Sequence, residues 1–113
     1  YTFFFPPYSA LYWNYAREAG NAETYLAFKA YVEGKLLEYK NVRVFDFQNA
    51  DFVTDLDNYK DYTHYAPEIN DRMLSCFSSG EYLVTAPAET EALAAKTDAQ
   101  VMELLTRYPE IPH

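Results

Sequence analysis

The period of hydrophobic positions changes several times along this chain, and each change marks an element. The opening run Tyr1-Thr2-Phe3-Phe4-Phe5 reads as a short buried strand over 1–5. Pro6-Pro7 stops it, because neither residue can donate to a ladder. Ser9 is placed to cap a helix over 10–19, in which Leu11, Tyr15 and Ala19 recur at every fourth residue. Gly20 ends that helix and Asn21 is placed to cap the next. From Ala22 to Tyr39 the spacing of Tyr25, Phe28, Val32, Leu36 and Tyr39 predicts a helix that buries this face and turns Lys29, Glu33, Lys35 and Lys40 elsewhere. Helices thus fill 10–40. Residues 42–47 (Val-Arg-Val-Phe-Asp-Phe) are β-branched and aromatic and predict a second strand. Strand, helices and strand make a βαβ unit, which implies parallel pairing with a right-handed crossover. The fold class is therefore α/β, a parallel sheet with flanking helices.

Periodicity then dissolves. Residues 48–66 are rich in Asp, Asn and Tyr, with isolated Phe52, Val53 and Leu56, and read as an irregular loop. A loop that long after a strand's carboxyl end sits where α/β sheets place their ligands. Pro67 suits the first turn of a helix over 67–79, with Ile69, Met73 and Phe77 as its apolar face and Gly80 as its stop. Tyr82-Leu83-Val84 is extended, and a helical stretch over 87–108 follows. Thr97-x-x-Gln100 inside it fits a capping box, which leaves open whether the stretch is one helix or two. There is one domain, with no repeat and no linker.

Composition narrows the partners. The 113 residues carry a net charge of −8, which argues against nucleic acid or an anionic membrane, since phosphate neutralisation needs clustered cations. No apolar run approaches the roughly 20 residues that span a bilayer. One cysteine, Cys76, and two histidines are too few for a structural zinc site, and no cofactor is expected. Asp46, Asp51, Asp55 and Asp57 lack the glycine-containing loop of an EF-hand and read as a solvated acidic segment. Aromatic residues make up 19% of the chain, enough for either a core built with rings or a surface that contacts carbohydrate. Trp13 with Tyr8, Tyr12 and Tyr15 could form such a wall. The chain opens without Met, inside an apolar run, so it reads as a fragment of a longer protein.

Chemistry concentrates in Asn58-Tyr59-Lys60-Asp61-Tyr62-Thr63-His64-Tyr65. Asp61 and His64 lie three apart in a loop, a spacing that can bring the carboxylate to imidazole Nδ1, fix the tautomer and leave Nε2 free as a base. The same spacing also suits a plain turn, with Asp61 as its cap. The base and its orienting acid are present, but the nucleophile of a hydrolase is not.

In order of elements and in this Asp-x-x-His block, residues 1 to about 85 resemble the C-terminal part of an SGNH (GDSL-like) hydrolase of the bacterial cell-envelope, polysaccharide-modifying type. The resemblance implies the flavodoxin-like SGNH fold, of which this chain would be the C-terminal portion, with His64 as catalytic base and Asp61 as its orienter. It further implies an esterase or acyltransferase acting on acylated carbohydrate or another ester, with Tyr59, Tyr62 and Tyr65 lining the substrate cleft, in the cell envelope or outside the cytoplasm. The family's nucleophilic Ser and its oxyanion-hole Gly and Asn have no counterpart here. Ser9 reads as a cap, and Ser75, Ser78 and Ser79 fall on or after the helix that follows His64. The chain alone is expected to be inactive and to dimerise or pair with the missing N-terminal part. The alternative is a glycan-binding or protein-interaction module without chemistry.

Overall fold

Two apolar runs pair side by side. β1 (Thr2–Phe5) and β2 (Arg43–Asp46) run parallel, with Thr2 opposite Arg43 and Phe5 opposite Asp46. The structure, a computed structural model, describes residues 1–112; His113, to which the sequence assigns no role, lies outside the described residues. Parallel strands need a crossover, supplied here by α1 (Ala10–Glu18) and α2 (Ala22–Leu36). After β2 come two 3-10 turns (Asp51–Thr54 and Leu56–Asn58), then α3 (Pro67–Ser79) and α4 (Thr90–Arg107). The molecule is an α/β domain with four helices and a small two-stranded parallel sheet.

β2 is the inner strand. On its far edge Asp46 N–H donates to Tyr82 O at 3.0 Å and Val84 N–H donates to Val44 O at 2.8 Å, so the extended 82–84 segment covers that edge. Phe45 and Phe47 point to one face and are buried against Met73 and Cys76 of α3. On the opposite face Asp46 meets Lys29 of α2, with Nζ 2.6 Å from Oδ2. A second core joins Trp13 and Ala16 of α1 to Leu26 of α2 and to Leu93 and Val101 of α4.

Several expectations are corrected. β1 is not buried: Phe3 is 45% exposed, because only one edge of the strand is paired and no layer covers its outer side. α2 presents the opposite face to the one its apolar spacing predicts. Phe28 is 68% exposed, Tyr25 and Tyr39 are also exposed, and the buried positions are Leu26, Lys29 and Glu33. The reason is the ion pair with Asp46 and a hydrogen bond from Ala88 N–H to Glu33 Oε1 at 3.0 Å, which draw the charged side inward. Asn21 makes no side-chain cap, and the helix ends at Leu36. Residues 48–66 are not a loose acidic loop, since Ala50, Phe52 and Val53 form a small core with Ile69 of α3. The capping box at Thr97 does not break α4; Thr97 is buried inside one continuous helix.

Other features follow the sequence directly. Ser9 Oγ accepts from Tyr12 N–H at the start of α1, Pro67 stands in the first turn of α3, and Gly80 ends it in the left-handed conformation with φ +84°. Trp13 belongs to the core rather than to a surface wall, while Tyr15 is exposed. Cys76 is buried. No helix among the described residues is long and apolar enough to cross a membrane.

Candidate functional site

Asp61 and His64 sit at the tip of a loop whose neck is zipped by the backbone. Tyr59 and Tyr65 form an antiparallel bridge. Lys60 N–H donates to His64 O and Ala66 N–H donates to Asn58 O, each at 2.7 Å. These bonds bring the two ends of the 60–64 segment together and fold the Asp61 carboxylate back over it. Asp61 Oδ1 accepts from Thr63 N–H at 2.9 Å and from His64 N–H at 2.8 Å. The His64 ring closes on the same group, with Nδ1 2.7 Å from Oδ2 and 2.9 Å from Oδ1. The hydrogen-bonded pair expected from the three-residue spacing is therefore formed, and the turn-capping role of Asp61 is fulfilled by the same carboxylate.

Donors converging on an ionised carboxylate stabilise the charge. The Thr63 N–H first, then the His64 N–H and ring, hold the Asp61 carboxyl well below the usual carboxylate range. With Asp61 at Nδ1, the proton of a neutral ring resides there and Nε2 carries the lone pair. The His64 side chain is 75% exposed. It borders a hollow of about 310 Å³ shared with Pro6, Tyr8, Thr63 and Tyr65. Pro6 directly follows β1, so the pair lies beside the carboxyl end of that strand. A smaller hollow of about 220 Å³ is bordered by Leu11, Leu56, Tyr59, Lys60, Asp61 and Tyr62.

The three tyrosines differ in their use. Tyr59 donates its hydroxyl to Pro7 O at 2.6 Å, and burial pushes its phenol above the usual range; it ties the loop to the segment after β1. Tyr62 is exposed, stacked on Tyr12 at 6.2 Å with an 11° interplanar angle and met edge-on by Tyr15. Tyr65 borders the same hollow as His64 and packs against the cores of β2 and α3. Tyr8, Pro6 and Thr63 complete the surroundings of His64; the sequence marks Tyr8 only as part of an aromatic wall and Pro6 only as a strand stop, and Thr63 alone lies inside the Asp-x-x-His block.

None of the four serines is hydrogen-bonded to His64. Ser9 is fully buried and donates to Tyr62 O at 2.7 Å, and Ser79 Oγ accepts from Glu81 N–H. The acidic residues do not gather into a cation site. Asp46 pairs with Lys29, Asp51 with Arg72, and Asp55 with Arg107. Among the described residues no group of three or more His, Cys, Asp or Glu side chains is placed to hold a metal. Comparison of the chain with family models, curated proteins and solved structures gave no match.

Proposed function

We propose that this chain carries the acid–base half of an SGNH-type ester hydrolase or acyltransferase, within a sheet of the flavodoxin-like SGNH kind, acting on acylated carbohydrate or a related ester. One observation carries the reading: the Asp61 carboxylate holds His64 Nδ1 at 2.7 Å on an exposed ring that borders a solvent-open hollow, which leaves Nε2 free. In that reaction a serine hydroxyl attacks the acyl carbonyl while Nε2 takes its proton. His64 then returns the proton to the departing alcohol, and Asp61 steadies the imidazolium between the two steps. The serine is supplied from outside this chain, because Ser9 is sequestered by Tyr62 O and Ser75, Ser78 and Ser79 all lie within α3.

The test is hydrolysis of p-nitrophenyl acetate. The 113-residue chain gives no more than the rate of free imidazole, whereas a protein that joins this chain to a segment supplying the serine turns over the ester. His64→Ala in that protein abolishes turnover, and Asp61→Asn lowers it by orders of magnitude through the wrong tautomer. Burst release of nitrophenol by the isolated chain, lost in Ser9→Ala, would place the nucleophile in this sequence instead. Full activity of the His64→Ala protein would favour a binding module.

A further inference from the structure

Three ionisable side chains are buried together where α2 meets β2, and only two of them pair. Lys29 Nζ stands 2.6 Å from Asp46 Oδ2, an ion pair though not a well-aligned hydrogen bond. Glu33, one turn further along α2, is 1% exposed and belongs to no ion pair among the described residues. Its Oε1 accepts the Ala88 N–H at 3.0 Å, while Oε2 is buried without a hydrogen-bond partner. An ionised carboxylate in that place gives up its hydration with nothing to replace it at Oε2. The charges that act on Glu33 come from three elements: Lys29 on α2 itself, Asp46 at the end of β2 and Lys96 on α4. Lys96 is exposed, so solvent screens it. Tyr82 stands nearby on the 82–88 segment, but its hydroxyl is engaged by Asp51. Burial is the largest influence and, with Asp46, outweighs the Ala88 N–H and the two lysines, which holds the Glu33 carboxyl above its ordinary range.

The same carboxyl fastens a thin part of the molecule. Segment 82–88 runs along the edge of β2, tied there by Asp46 N–H on Tyr82 O and by Val84 N–H on Val44 O. Its next tie is the bond from Ala88 N–H to Glu33, and residues 85–87 in between are exposed. Beside it opens a cavity of about 560 Å³, whose lining includes Glu33, Val84, Ala86 and Ala88. We propose that Glu33 is a pH-sensitive fastener of the 82–88 segment: the neutral acid holds the segment closed on β2, and ionisation lets it lift so that water reaches Oε2. Both forms of the acid accept the Ala88 N–H, so this bond does not discriminate between them. Oε2 does, because a neutral oxygen costs less to bury than a charged one. A carboxyl raised in the folded chain adds stability that is fully present below its unfolded value near 4.5 and is lost as pH rises through the folded value. The closed segment is therefore favoured in acid and loosens toward alkaline pH.

The test follows the Glu33 carboxyl by carbon-detected NMR and the Val84 and Ala88 amides by hydrogen exchange, from about pH 4 to about pH 8. In the 113-residue chain the carboxyl titrates above 4.5. With the intrinsic base catalysis of exchange divided out, protection of both amides falls several-fold over the same span of pH. Phe47 N–H, bonded to Phe5 O on the other edge of β2, shows no such step, which marks the opening as local. In Glu33→Gln the protection of Val84 and Ala88 stays level, because the amide keeps an acceptor for Ala88 N–H and carries no charge. A Glu33 midpoint at or below 4.5, level protection across a raised midpoint, or the same fall in Glu33→Gln would overturn the proposal. Should the variant fail to fold, the first two measurements decide on the unaltered chain. None of them involves Asp61 or His64.

Discussion

At the scale of single residues, Asp61 is defined by what points at it. The Thr63 and His64 N–H groups and the imidazole all converge on its carboxylate. Its proton affinity is therefore lower in the folded chain than in the unfolded one. The sign follows: any stabilisation from Asp61 is fully present above the unfolded value near 3.9 and is lost as pH falls through the lower folded value. Carbon-detected NMR of the Asp61 carboxyl should find it still ionised near about pH 3. A midpoint close to 4 would show that the converging donors exert no such pull. This much of the site was legible in the sequence, because three residues of loop decide whether a carboxylate meets an imidazole. Pro6 and Tyr8, which share the hollow with His64, come from the far side of the first crossover, and no local pattern announces them.

At the scale of elements, α2 shows where reading by periodicity ends. Its existence and its start follow from the pattern, yet the aromatic stripe of Tyr25 and Phe28 faces outward. The inward face is chosen by Lys29 and Glu33, whose partners are Asp46, at the end of β2, and the Ala88 N–H, just before α4. A spacing rule counts Lys and Glu as outward residues because it cannot see a partner that arrives later in the chain. β1 fails for the same kind of reason, since an apolar tetrapeptide does not state how many neighbours its strand has. At the caps of α1 and α3, where the contact is local, sequence and structure agree. Leu26→Ala should cost about 2–5 kcal/mol in urea unfolding, and Phe28→Ala about 0.5 kcal/mol or less. The opposite ranking would return α2 to the orientation its apolar spacing predicts.

At the scale of the whole molecule, the sheet has one covered edge and one open edge. The 82–84 segment covers β2, while β1 presents Phe3, Phe4 and unpaired backbone groups to solvent. Such an edge is a template for another strand. Sedimentation of the chain should show concentration-dependent association at micromolar levels, and Phe3→Lys should shift it to monomer. A wild-type chain that stays monomeric would show that the edge is protected as it stands. The loop bearing His64 has a different relation to the whole. It is fastened by Tyr62 O to the backbone N–H and hydroxyl of Ser9 and by the Tyr59 hydroxyl to Pro7 O, links that close rings of more than fifty residues. Closing rings of that length is entropically expensive and awaits most of the fold. The order of the loop tip is thus coupled to the junction between β1 and α1, half a chain away, which holds it in place.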